Sequence, residues 1–129
     1  MTKTAHVLVA DDDGSVRRST IENLSASGHV VTEARDGIEA LAKLRAQEVD
    51  AVVLDVKMPG KDGISVIDEM VPGPPPPGVL LVSAFEIDLQ TRRRLESKVH
   101  RVLRKPVPPP TLILAVSQAI VAARDARAP

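Results

Sequence analysis

Four short apolar runs each end at a polar residue of a different kind. Val7-Leu8-Val9-Ala10 runs into Asp11-Asp12-Asp13, Val52-Val53-Leu54 into Asp55, Val79-Leu80-Leu81-Val82 into Ser83, and Val102-Leu103-Arg104 into Lys105-Pro106. Continuous apolar runs of this length suit strands buried on both faces, as in parallel sheets. His29 to Ala34 reads as a further strand, and Asp50 to Asp55 frames the third. Between them the period changes. Val16, Ile21 and Leu24 mark a one-sided helix over 15–27, with Gly28 suited to the position just past its end. Ile38, Leu41 and Leu44 mark a second helix through Arg45, after an Asp36-Gly37 turn. Residues 58–63 form a loop, 64–70 a short helix, 87–96 a polar basic helix and 112–123 an Ala-rich apolar helix, with Pro110 near its first turn. The proline run in 72–78 excludes helix and favours a stiff, polyproline-like surface connector. Strands alternating with helices predict a doubly wound α/β domain, a five-stranded parallel sheet with helices on both faces.

Length and charge narrow the picture. The chain has 129 residues, enough for one domain, which at this size buries roughly two-thirds of its unfolded surface. The expected core runs from about residue 5 to 123, with 124–129 a tail or the stub of a linker to a longer protein. With 17 basic and 17 acidic residues the formal charge is zero, which argues against nucleic acid as a partner. Phe85 is the single aromatic residue, so base stacking is nearly excluded. No apolar stretch approaches the ~20 residues of a membrane span. The absence of cysteine removes disulfide and thiolate chemistry and fits a cytoplasmic protein.

If the strand order is 2-1-3-4-5, the order reverses between the strands that end in Asp11-Asp12 and Asp55, and sites in open α/β sheets form outside such strand ends. Three carboxylates then share one edge. Two unit charges at ~5 Å repel by roughly 3 kcal/mol at an effective dielectric of ~20. A hard divalent cation relieves that cost, and oxygen-only ligands favour Mg2+ or Mn2+. Ser83 and Lys105 add a hydroxyl and an ammonium, which makes a receptacle for phosphoryl oxygens. A carboxylate in it can act as nucleophile and give an acyl phosphate.

With its motifs Leu-Val-Ala-Asp-Asp-Asp at 8–13, Leu-Asp-Val-Lys-Met-Pro-Gly-Lys-Asp-Gly at 54–63, Val-Ser-Ala at 82–84 and Arg-Lys-Pro-Val at 104–107, the chain resembles the receiver domain of two-component response regulators from about residue 5 to 123. The resemblance implies a flavodoxin-like fold of order 2-1-3-4-5 and a phosphoacceptor signalling switch. Asp55 accepts a phosphoryl group from a histidine kinase or phosphotransfer protein. Asp12, Asp55 and the backbone carbonyl of Lys57 ligate Mg2+, and Asp11 holds it through water. Ser83 and Lys105 contact phosphoryl oxygens, and the Lys105–Pro106 bond is expected to be cis. Such a domain is not an enzyme in the usual sense, catalysing only its own phosphorylation and slow dephosphorylation. Its readout surface is the face of the fourth helix, fifth strand and last helix, which meets a downstream protein or a second copy of the chain.

The chain departs from the family in two places. The aromatic residue usual three positions before the lysine is Val102, so the expected switch position lacks a ring that can swing. Lys98-Val99 replaces the usual Gly-Ala, and Arg92, Arg93, Arg94, Lys98, His100, Arg101 and Arg104 make this region basic. That basic region reads either as a solvated face or as a docking surface for an acidic protein. Lys57 and Phe85 occupy the positions that tune phosphoryl hydrolysis in the family, and a cation and a ring there predict slow self-dephosphorylation. Asp13 reads as a helix cap. Two rivals remain: a receiver-like interaction module that is not phosphorylated, and a Mg2+-dependent phosphatase with an Asp nucleophile. Lys57 stands where the second would carry its acid–base Asp. Nucleotide hydrolysis is disfavoured because no glycine-rich loop ends in Gly-Lys-Ser or Gly-Lys-Thr.

Overall fold

The computed structural model describes residues 4–70 and 76–127. The elements follow in strict alternation: β1 (His6–Ala10), α1 (Gly14–Ala26), β2 (Val30–Ala34), α2 (Gly37–Ala46), β3 (Ala51–Asp55), α3 (Gly63–Glu69), β4 (Gly78–Ser83), α4 (Leu89–Leu95), β5 (Arg101–Arg104) and α5 (Pro109–Arg127). The sheet has the order β2-β1-β3-β4-β5, and every pairing is parallel, as the sequence predicts. Residues 72–75 of the proline connector expected over 72–78 lie outside the described residues.

Four of the five helices start at an aspartate. Asp13, Asp36, Asp62 and Asp88 each accept a backbone N–H of the first helical turn, satisfying donors that have no partner within the helix. Asp13 is thus the cap that the sequence suggests. At the other end of α1, Gly28 has φ 93° and its N–H meets the Ser25 carbonyl, while His29 N–H meets that of Leu24. This is a Schellman closure.

The last helix is longer than expected at both ends. It opens on Pro109-Pro110, which need no N–H in a first turn. Residues 124–127, read from sequence as a tail, continue it to Arg127. Their anchor is Asp50 at the entrance of β3. Arg127 Nη1 lies 2.9 Å and Arg124 Nη2 3.5 Å from the Asp50 carboxylate, which also accepts the His6 N–H at 2.9 Å. Burial would raise the Asp50 acid, but the His6 and Arg127 hydrogen bonds and both guanidinium charges outweigh it and hold it below the ordinary value of 3.8. A lowered acid stabilises the fold above that value and loses the contribution as pH falls through it. Asp50→Ala is therefore expected to cost about 1–3 kcal/mol at neutral pH. In urea titrations the gap to wild type should close below about pH 4.

Strand side chains alternate between faces, and the core divides accordingly. Leu8, Val52, Leu54, Leu81 and Leu95 belong to the cluster under α2, α3 and α4. Val7, Val9, Val53, Val82, Leu103 and Val116 belong to the cluster under α1 and α5. Gly63 allows the turn after β3 to fold back: a Cβ there would stand 2.3 Å from the Asp55 carbonyl oxygen, and its N–H bonds the Val56 carbonyl at 2.8 Å.

Candidate metal and acceptor site at the sheet edge

The register aligns the polar ends. Ala10 pairs with Leu54, so Asp11 and Asp55 leave neighbouring strands at one level. Asp55 pairs with Val82 and Ser83 with Arg104. Asp11 and Asp55 continue the side-chain alternation of Val9 and Val53, and Lys105 that of Leu103, so all three project on the α1–α5 side of the sheet. Lys105 Nζ lies 3.0 Å from Asp11 Oδ2 and 3.3 Å from Asp55 Oδ2. Asp12 completes a group of three acids whose ligand oxygens lie within 4.8 Å of one another. Asp11 and Asp55 are buried, whereas Asp12 is open to solvent. A hard divalent cation fits this donor set, since it is all oxygen, anionic and reachable from one side.

The electrostatics follow from that crowding. Burial pushes the Asp55 carboxyl up to about 6, the Asp11 charge adds to the push, and Lys105 restrains it. Burial works to lower the Lys105 ammonium, but its hydrogen bond to Asp11 and the charges of Asp11 and Asp55 outweigh that and hold it above the ordinary lysine value. One ammonium thus sits between two buried carboxylates. The Lys105–Pro106 bond is cis, as expected.

Ser83, Lys57, Phe85 and Val102 make their contacts with groups other than these charges. Ser83 has the strand parity of Leu81, so it belongs to the α2–α4 side. It is 2% exposed. Its hydroxyl donates to the Phe85 carbonyl at 2.5 Å and accepts the Phe85 N–H at 3.1 Å. Lys57 is exposed, with Nζ 5.8 Å from the centre of the Phe85 ring. The two residues expected to tune hydrolysis therefore meet each other, in a cation–π contact. Val102 packs half-buried against the α2–α4 cluster.

Two features of the site escaped the sequence reading. Arg17 on α1 donates to the Asp11 carbonyl at 2.8 Å and reaches Glu33 at 3.7 Å, bracing the turn that carries the acids. Its place one turn into α1, within reach of the strand end that precedes the helix, is the signal that could have found it. A cavity of about 630 Å3 also opens beside Asp55 and Lys105, bounded by Ser19 and Thr20 of α1 and by Val107 and Leu112. Small polar side chains on α1 leave this space unfilled, a deficit of volume that periodicity does not register.

Comparison with known proteins agrees with this geometry. The family model for the response regulator receiver domain matches residues 7–117. Response regulator MprA of Mycobacterium ulcerans is 43% identical over 67 residues, 52% of this chain and 29% of MprA. MprA of Mycobacterium avium is 45% identical over 64 residues, 50% of this chain and 28% of that protein. The alignments thus span less than a third of the length of these curated relatives. Among solved structures, the receiver domain of Francisella response regulator 1452 superposes with a TM-score of 0.83 at 29% identity, over 92% of this chain and 98% of that one. A CheY-like receiver domain protein from Methanospirillum hungatei gives 0.87 at 22% identity, over 96% and 99%, a likeness of fold alone. With the matched model covering nearly the whole described sheet and its helices, the chain belongs to the family of response regulator receiver domains.

Proposed function

We propose that the chain is a phosphorylation-dependent switch whose acceptor is Asp55. The observation that carries this reading is the placement of Lys105 between Asp11 and Asp55, with Asp12 open at the rim. Asp12, Asp55 and the Lys57 carbonyl would hold Mg2+, with Mn2+ as the alternative, and Asp11 would act through water. The ion supplies charge neutralisation at the acceptor. The donor is the phosphohistidine of a histidine kinase or phosphotransfer protein. An Asp55 oxygen forms the new P–O bond as the donor's P–N bond breaks, and the imidazole nitrogen leaves with the electron pair and takes a proton. Such transfer needs mainly positioning and charge stabilisation. Lys105 supplies a fixed positive charge for the phosphoryl oxygens, and the cavity along α1 gives the donor room beside Asp55.

Readout would begin at Ser83. To reach a phosphoryl oxygen its hydroxyl must leave the Phe85 carbonyl, which pulls the β4–α4 turn with it and shifts an existing equilibrium of the α4–β5–α5 face. Val102 follows by packing rather than by swinging a ring. A cation and a ring at these two positions would restrict the attacking water, which favours slow hydrolysis. The family implies a cytoplasmic setting.

The test is uptake of one phosphoryl group, read by mass spectrometry after incubation with a small phosphodonor and Mg2+. Wild type should gain it and Asp55→Asn should not. No gain in wild type would leave the unphosphorylated interaction module as the better reading, and equal gain in both would move the acceptor elsewhere.

A further inference from the structure

We propose that the groove between α4 and β5 docks an acidic polypeptide segment that carries one bulky apolar anchor. The groove has a volume of about 460 Å3. Its floor is aliphatic: Leu95 is buried, Val99 and Val102 are half-buried, and Leu89 stands 63% exposed at the edge. Its rim is predominantly basic, with Arg92, Arg93, His100 and Arg101 against one acid, Glu96.

The charge is concentrated here. Residues 89–104 carry six Lys or Arg against one Glu, in a chain whose formal charge is zero. Part of this is neutralised locally. Arg94 and Lys98 turn to Asp68 of α3 at 2.6 and 3.8 Å, and Arg104 lies 3.8 Å from Glu86. Among the described residues, Arg92, Arg93 and Arg101 form no ion pair, and all three are exposed. Three free guanidinium groups around an apolar trough match carboxylates flanking a hydrophobic side chain.

Other occupants fit less well. A second copy of the chain would set this face against itself in a two-fold interface and bring like charges together. A nucleic acid would match the rim but not the aliphatic floor. It would also run along a molecule whose remaining surface is net negative by the same amount. Replacement of Val102 by a ring would fill the trough from within. With valine there, the trough stays open for a side chain from outside.

This partner chemistry deepens the switch reading, in which Asp55 would regulate the docking. Phosphoryl uptake and peptide binding, measured on one preparation, therefore report the two readings separately. The probe is a short fluorescein-labelled peptide with a central Leu flanked by Glu residues, followed by anisotropy with and without phosphodonor. Binding should saturate, weaken with added salt, and fall about tenfold or more in an Arg93→Glu, Arg101→Glu double variant. Leu89→Ala, at an exposed position, should weaken it several-fold without changing the circular dichroism spectrum. A peptide with Gln in place of Glu, or Ala in place of Leu, should bind less well. The inference is overturned if the Glu peptide does not bind saturably, or if the double variant binds it equally. It is likewise overturned if a single-stranded oligonucleotide of equal charge binds more tightly, or if the protein dimerises through this face in preference to binding the peptide.

Discussion

Asp55→Asn, besides taking up no phosphoryl group, is expected to be more stable than wild type in chelator, by on the order of 2 kcal/mol above pH 6. The carboxylate proposed as acceptor is held there against its own solvation. Burial and the Asp11 charge raise its acid to about 6. A raised carboxyl is a cost that appears as pH climbs through the unfolded value and is complete above the folded one. The advantage of the amide should therefore vanish below about pH 4, where both forms are neutral. Urea denaturation at several pH values measures it. Added Mg2+ should reverse the order, stabilising wild type and leaving Asp55→Asn little changed. Equal stability of the two proteins in chelator at neutral pH would contradict the electrostatic account of the edge.

Lys105→Met should move the same quantities in the opposite direction. Its ammonium lies within 3.3 Å of both Asp11 and Asp55, and without it two buried carboxylates face each other unpaired. Breaking a buried ion pair on one side typically costs about 3 kcal/mol or more, so the variant should unfold at lower urea in chelator. The deleted charge also competes with a cation for the same oxygens. At an effective dielectric of ~20, its removal should tighten Mg2+ binding about tenfold or more. Phosphoryl uptake should nevertheless slow about a hundredfold, because a fixed charge aimed at the transferring oxygens is lost. Isothermal titration with Mg2+ and time-resolved mass spectrometry separate the two effects. A variant that binds Mg2+ more weakly and transfers as fast as wild type would remove Lys105 from the site.

Most of this site was legible in the sequence because strand ends are legible. Apolar runs stopped by Asp11, Asp55 and Lys105 place those residues on one edge before any contact is known, and the strand order brings them together. The caps are partly legible: Asp13 reads as one, Asp36 and Asp62 read only as turn and loop residues, and Asp88 falls inside the helix expected over 87–96. The ends of α5 are not legible, because the apolar pattern that marks the helix begins only at Leu112, with Pro110 merely near its first turn, and Arg124 to Arg127 suggests a polar tail. Only the distant Asp50 turns those arginines into anchors. Ser83 was the subtler case. Its place at the end of β4 is legible, but the hydroxyl's partner is the backbone two residues on, a local competition that residue type does not reveal. The meeting of Lys57 and Phe85 was hidden for a similar reason, since two loops must close before the cation finds the ring.

The opposite side-chain parity of Ser83 and Asp55 has a consequence for how this fold tolerates change. Under the proposed switch, the chemistry would occur on one surface of the sheet with its sensor rooted on the other, so that the two would communicate across a single layer of backbone. Loss or gain of one residue within β4 would carry Ser83 to the acceptor's side and turn an apolar neighbour toward the α4 core. The length of that strand, counted in whole residues, would thus be a functional parameter in its own right. Many substitutions along its inner positions alter packing by degrees, whereas a shift of one residue exchanges the sensor for a filler outright.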